Sequence, residues 1–292
     1  MTVARAASRF MKESRISLPD NRLLAFTDIG EPGWPSVFFF HGAPMSRLHL
    51  SYLGPQFLAE RVRVLSPDRP AYGGSTPQPG RILSDWPRDV AALADALGAE
   101  RFVVAGHSSG GSYAVACAAL LPSRVLAAIV LGGVTDMGWP GAWDGYVESE
   151  RQLMRLPGED AAIAWCVERF GADGSGFESA SDFEFPEPDR ALFADPDAGP
   201  AIAAAVQEAF RQGVAGYAQD MIVQGRPWPF DPGSITVPVH VVHGERDATV
   251  PPAHSRHTAE VIRTATLHLL PGHGHMTTLG ALPALVSGLS RR

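Results

Sequence analysis

The sequence predicts an alternating α/β protein built on a mostly parallel, eight-stranded sheet with helices on both faces. Three observations predict it. Short β-branched or aromatic runs bounded by Gly, Pro and Asp recur along the 292 residues. Runs such as Val37-Phe38-Phe39-Phe40 do not alternate in polarity, as expected of strands covered on both faces. Longer amphipathic stretches lie between most of these runs, the signature of strand and helix in alternation.

In chain order, strands are expected at 15–18, 23–28, 36–40 and 62–65. Ser84-Asp85 before Trp86-Pro87 marks a helix start, and Val90, Leu93, Ala94 and Leu97 repeat at helical spacing until Gly98 stops it. Phe102-Val103-Val104-Ala105 reads as a fully buried strand, 111–121 as the helix after it and 126–131 as the sixth strand. The pattern then lapses. Residues 135–231 are rich in Trp, Asp, Glu, Pro and Gly, with helix-like pieces at 143–155, 159–170 and 200–224 and no convincing strand. Fifteen acidic residues face four arginines between positions 136 and 200, although the whole chain carries only −7. Alternation resumes with a strand at 239–243, a helix at 253–262, a strand at 265–270 and a closing helix from 277. A helical insertion between two halves of one sheet reads as a cap, residues 135–231, on a core formed by 1–134 and 232–292.

Composition narrows the function classes. A chain of this length removes roughly three quarters of its extended surface from water, so it needs neither disulfides nor metals to hold a core. Cys117 and Cys166 sit in apolar, helix-like contexts and read as small buried hydrophobes. Mean hydropathy is near zero, and no apolar run approaches the ~20 residues of a membrane span. The first 17 residues lack the apolar stretch of a secretory signal, so a cytoplasmic location is expected. The acidic balance, 31 Asp plus Glu against 24 Lys plus Arg, leaves no footprint for nucleic acid. A small-molecule substrate is expected, on a monomer or homodimer. No metal or cofactor is implied: the histidines do not fall in H-E-x-x-H spacing, and Gly73-Gly74 belongs to neither common phosphate-loop pattern.

The sharpest chemical signal is Gly106-His107-Ser108-Ser109-Gly110, directly between a predicted strand and a predicted helix. A serine on that sharp turn projects its hydroxyl above the sheet, and the flanking glycines let neighbouring chain pack close. Ser109 is the poorer nucleophile, because its register lacks the leading glycine. A serine hydroxyl needs a base and a group to orient that base. Asp247 follows the 239–243 strand in His243-Gly244-Glu245-Arg246-Asp247, and His275 follows the 265–270 strand in Pro271-Gly272-His273-Gly274-His275. Both would lie where active-site loops gather, at the carboxyl ends of parallel strands. His273 is the competing base. His41-Gly42-Ala43-Pro44 follows the 36–40 strand, so the backbone N–H groups of Ala43 and Ser109 are the candidate oxyanion donors. His41 reads as structural, holding that loop.

With His41-Gly42 and the segment Ser66-Pro67-Asp68-Arg69-Pro70-Ala71-Tyr72-Gly73-Gly74-Ser75, these motifs resemble the α/β-hydrolase fold, specifically its capped, esterase-like serine hydrolases, over nearly the whole chain. The order Ser, Asp, His agrees with that family. The resemblance implies that the segment from Asp68 to Ser75 is a structural turn after the fourth strand, with Ala71 where relatives often carry Gly. It also implies that the cap shapes the substrate pocket, and it offers Asp136 as an alternative acid. Ser108 at the elbow sets the chain apart from the haloalkane dehalogenases and epoxide hydrolases of this fold, which use Asp there. The expected activity is hydrolysis of a small to medium, neutral hydrophobic carboxylic ester, lactone or thioester through an acyl-enzyme. Alternatives are a carbon–carbon bond hydrolase, a peptidase or amidase, acyl transfer or perhydrolysis, and a receptor-like ligand binder with little turnover. Trp139, Trp143 and Trp165 are the candidate substrate-binding residues, with Phe177, Phe183, Phe185 and Phe193 as further aromatic surface that packs the cap or walls the pocket.

Overall fold

A computed structural model describes residues 11–290; the reading of the first ten residues lies outside them. The sheet contains β1 (Met11–Ser17), β2 (Leu23–Ile29), β3 (Ser36–Phe40), β4 (Arg63–Pro67), β5 (Phe102–His107), β6 (Val125–Leu131), β7 (Val239–Gly244) and β8 (Ala265–Leu270). Their spatial order is β1-β2-β4-β3-β5-β6-β7-β8. The pairings of β2 with β1 and with β4 are antiparallel, and the other five are parallel.

The non-alternating run in β3 has a direct physical outcome. Phe38 and Phe40 enter one apolar layer with Phe102, Val104 and Tyr113. Val37 and Phe39 enter the opposite layer with Val103, Ala105 and Ile129. All four are fully buried, each such side chain stabilising the fold by about 2–3 kcal/mol. The first layer is covered by α2 (Trp86–Ala96) and α3 (Ser109–Leu120), the second by α1 (Gly54–Ala59) and the closing α11 (Leu282–Ser290). Both cysteines are free and buried.

Between β6 and β7 lie α4 (Glu148–Met154), α5 (Glu159–Phe170), α6 (Phe177–Ala180), α7 (Glu187–Ala194), α8 (Ala198–Ala209) and α9 (Ala215–Gln224); α10 (Pro252–Val261) follows β7. The helix expected over 200–224 is two helices. The chain turns at Gly213, whose φ of +85° favours glycine, and an added Cβ there would lie 2.7 Å from Ala172 O. The helices at 177–180 and 187–194 were not anticipated. α4, α5, α6, α9 and the end of α8 share an apolar cluster of their own, joined by Tyr72 from the turn after β4, whereas Leu192 and Phe193 of α7 and Ala198 and Ile202 of α8 pack with the second layer of the sheet.

A buried ion network ties α9 to that same turn. Arg69 and Asp220 are wholly buried, and Asp220 accepts from Arg69 Nη2 at 2.6 Å and from Arg81 Nη2 at 2.9 Å. The Tyr113 hydroxyl adds a bond of 2.5 Å. The turn is held from inside by Asp68, which accepts from the backbone N–H of Arg47 and Gly74 at 2.6 and 2.9 Å. Ala71 sits there at φ +67°, the left-handed region in which glycine is at ease.

Candidate active site

Ser108 forms the sharp turn between β5 and α3, at φ 56° and ψ −126°, a strained conformation for a residue with a side chain. The flanking glycines are required by contact. A Cβ on Gly110 would lie 2.1 Å from Phe40 O, and one on Gly106 would lie 2.0 Å from Gly110 O. The turn is pinned by Ser108 N–H donating to Leu131 O at 2.9 Å, and by Val134 N–H donating to Ser108 O at 3.1 Å.

Asp247 and His275 come to the same end of the sheet from the loops after β7 and β8. His275 Nδ1 stands 2.7 Å from Asp247 Oδ2. The other carboxylate oxygen, Oδ1, accepts from the backbone N–H of Thr249 and Val250, both at 2.9 Å. His243 Nε2 lies 3.2 Å from Oδ2. Burial works against the charged form of Asp247, but the His275 imidazole and the hydrogen bonds from His243 and His275 outweigh it and hold the pKa well below the usual carboxylate range. Burial likewise opposes the charged form of His275, yet the Asp247 carboxylate beside it, helped by Asp189 and Glu150, raises the imidazole above its ordinary value. With an ionised carboxylate as acceptor, the proton sits on Nδ1 and Nε2 keeps a free lone pair.

Ser108 and His275 line one cavity of about 380 Å³ together with Gly42 and Ala43. Its wall is mostly apolar, built from Phe177, Phe183, Phe185, Phe193, Ile202 and Val206 of the insertion. Ser109 N–H begins α3, where a helix has no carbonyl of its own to receive it. The Ser109 hydroxyl itself faces Arg69 Nη2 at 3.1 Å.

The three tryptophans lie elsewhere, which corrects their expected place on the pocket wall. Trp139 stacks on His257 with centroids 4.2 Å apart. Trp143 lies under the Arg155 guanidinium at 4.3 Å, and Trp165 packs edge-on against Phe170 at 5.6 Å. Each is half-buried and spends its large face on packing within or beneath the insertion. The shorter phenylalanines reach the cavity. His273 Nδ1 lies 3.1 Å from Pro271 O, within its own loop. The Asp136 carboxylate accepts from the backbone N–H of Gly138 and Trp228 at 2.8 and 3.0 Å, a turn-holding role. His41 holds its loop as expected: its Nδ1 is 2.7 Å from Gly42 O, and its Nε2 accepts from Arg69 N–H at 3.1 Å.

Four functional neighbours were missed. His243 is fully buried, with Nδ1 at 2.7 Å from Ser255 Oγ and Nε2 at 2.9 Å from Val250 O; its position four residues before Asp247 was the available signal. His107 packs its ring 4.4 Å from that of His275, and burial drives its pKa down to about 3, so it is neutral. Asp189, on α7, accepts from His275 N–H at 2.7 Å and from Thr277 N–H at 3.0 Å. Its partners lie more than 80 residues away, and nothing local announces them. Glu150 on α4 is buried at the cavity wall. Among the described residues no three His, Cys, Asp or Glu are grouped to hold a metal ion, and no helix is long and apolar enough to cross a membrane.

Comparison with known proteins agrees with this architecture. The model of the alpha/beta hydrolase family matches residues 37–286. A bifunctional esterase/perhydrolase from Acinetobacter calcoaceticus is 28% identical over 274 residues, covering 90% of this chain and 94% of the relative. A non-heme chloroperoxidase from Streptomyces lividans is 27% identical over the same length, with the same coverage of 90% and 94%. Among solved structures, an alpha/beta hydrolase fold protein from Nakamurella multipartita superposes with a TM-score of 0.68 at 25% identity, over 96% of this chain and 99% of that one. The chain belongs to the alpha/beta hydrolase family.

Proposed function

We propose that the protein is a cytoplasmic serine hydrolase that cleaves a small to medium hydrophobic carboxylic ester through an acyl-enzyme on Ser108, with residues 135–231 acting as a cap over the site. The observation that carries the reading is the convergence of Ser108 and His275 on one apolar cavity, with His275 Nδ1 held 2.7 Å from a buried, ionised Asp247. His275 Nε2 takes the Ser108 proton as the hydroxyl oxygen attacks the carbonyl carbon. The N–H groups of Ala43 and Ser109 receive the oxyanion. His275 returns the proton to the departing alcohol; it then takes a proton from the attacking water and passes it to the Ser108 oxygen as the acid leaves. The phenylalanine wall supports an apolar acyl or alcohol group, and the neutral His107 supports the base without competing for the Asp247 charge.

Hydrolysis of p-nitrophenyl esters of increasing chain length tests this. Wild type turns them over steadily with a preferred length, and Ser108→Ala loses turnover by several orders of magnitude. Turnover that survives in Ser108→Ala overturns the reading. A second acceptor is favoured by the relative named an esterase/perhydrolase: hydrogen peroxide in place of water would leave as a peracid, detected by adding peroxide and a short-chain acid and assaying the peracid.

A further inference from the structure

The cavity holds one buried group that this mechanism does not use. Glu150 is only 4% exposed and lines the same cavity as Ser108 and His275. Its Oε1 accepts from the Tyr217 hydroxyl at 3.2 Å, and the Tyr146 hydroxyl supplies a second hydrogen bond. A carboxylate offers about four acceptor positions, so two tyrosine hydroxyls leave acceptor capacity on a group that lines the cavity. No lysine or arginine lines the cavity among the described residues; its only other carboxylate is the exposed Glu178. An acid sunk into an apolar wall without a cation costs stability. Among the described lining residues the one group that interacts with Glu150 as a cation is His275, which has to be neutral to act as base, so Glu150 has no permanent positive partner.

We propose that Glu150 is a specificity-determining residue that recognises an onium group on the substrate, so that the ester cleaved at Ser108 is an apolar one with a single cationic end. This rests on the esterase reading above and replaces the neutral substrate expected from the sequence with a cationic one. Phe177, Phe183 and Phe185 line the same cavity, and aromatic rings attract onium groups by cation–π interaction. The acidic excess between positions 136 and 200 draws cations toward this side of the molecule. Among the described lining residues no Lys or Arg would pair with an anionic ester.

Burial pushes the Glu150 carboxyl up to about 7, against hydrogen bonds from Tyr146 and Tyr217 and the charge of His275, with Asp182 adding to the rise. A bound onium favours the ionised carboxylate and so draws its proton off. Preference for a cationic ester must therefore grow as pH rises through about 7. His275 titrates nearby and affects every ester, but it cancels in a ratio of two esters.

The test compares choline butyrate with 3,3-dimethylbutyl butyrate, which differ by a quaternary nitrogen for a carbon, each normalised to its alkaline hydrolysis rate. Wild type should favour the choline ester by about tenfold in kcat/KM at pH 8, with the ratio shrinking at pH 6. Glu150→Gln should bring the ratio to about one at both pH values. A wild-type ratio near one, or a ratio unchanged in Glu150→Gln, overturns the inference while leaving the esterase reading intact. Should Glu150→Gln not fold, tetramethylammonium serves as inhibitor of wild-type p-nitrophenyl butyrate turnover. Competitive inhibition stronger at pH 8 than at pH 6 supports the inference, and none overturns it. No turnover of any ester defeats the esterase reading instead. Calorimetry of choline against 3,3-dimethylbutanol on Ser108→Ala then decides this inference alone: tighter choline binding supports it, and equal or absent binding overturns it.

Discussion

At Ser108 the chain accepts backbone strain of about 1–3 kcal/mol to raise one hydroxyl into a cavity, and the value of that position depends on the imidazole facing it. His275 serves as base only when neutral, and Asp247 holds its pKa above the ordinary 6.5. Activity should thus rise with pH along an acid limb centred above 6.5. Asp247→Asn removes the charge that raises this pKa and the acceptor that fixes the proton on Nδ1. It should lower kcat by roughly 10³- to 10⁴-fold and move the acid limb to lower pH. A pH–rate profile checks both, and an unchanged limb would detach Asp247 from His275. At this scale the sequence was most legible where the chemistry is local. The glycine-flanked serine, and the Asp and His just after strands, need only a few neighbouring residues to be seen. Glu150 and Asp189 were not legible as site residues, because their meaning comes from partners brought in by the fold; Phe177, Phe183, Phe185 and Phe193 were visible as aromatic surface of the insertion, but that they rather than the tryptophans line the cavity was not.

Among the elements, the β5-turn-α3 unit is the least tolerant. Gly110→Ala would drive a methyl into the Phe40 and His41 carbonyls, both main-chain atoms. It should lower stability by about 3 kcal/mol or prevent folding, read in chemical denaturation; a neutral outcome would mean that α3 can shift. The α7 helix has a subtler part, since Asp189 grips the backbone of the His275 loop. Asp189→Asn leaves a buried donor facing N–H groups and removes a charge that raises the His275 pKa. It should cut kcat/KM by roughly tenfold, reflecting about 1–3 kcal/mol for unsatisfied buried groups, and shift the acid limb downward. A fall in stability with no change in the pH profile would confine Asp189 to scaffolding. Element types were readable from periodicity and capping. Lengths were read less well where polarity hides the pattern: β1 begins at Met11, but Lys12, Glu13, Ser14 and Arg15 are largely solvent-facing on an edge strand, so only its end looked like a strand. Gly213 split a helix that the apolar period alone made continuous.

Across the whole molecule, the insertion is joined to the sheet through Asp220, whose carboxylate is shared by Arg69 and Arg81. Burial opposes its charge, but the two guanidinium groups and the hydrogen bonds hold its pKa far below the ordinary 3.8. A depressed carboxylate contributes stability that is full above its unfolded pKa and is lost as pH falls through the folded one. Wild type should therefore lose melting temperature steeply only below about pH 4 through this group. Asp220→Ala should lose about 3–5 kcal/mol at neutral pH, because it strands two buried arginines; thermal melts across pH compare the two. An Asp220→Ala protein as stable as wild type would show that the network contributes nothing net. The eight strands, their split by a helical segment and the position of that segment after the sixth strand were legible in the sequence, since each follows from patterning. How the segment docks was not, because an ion network between residues some 150 positions apart leaves no local trace.

Labelling the purified protein with a fluorophosphonate and mapping the adduct reads out whether Ser108 is a nucleophile activated by His275. Wild type should label rapidly at Ser108, and neither Ser108→Ala nor His275→Ala should label. Absence of labelling in folded wild type, or an adduct on any other residue, would contradict it.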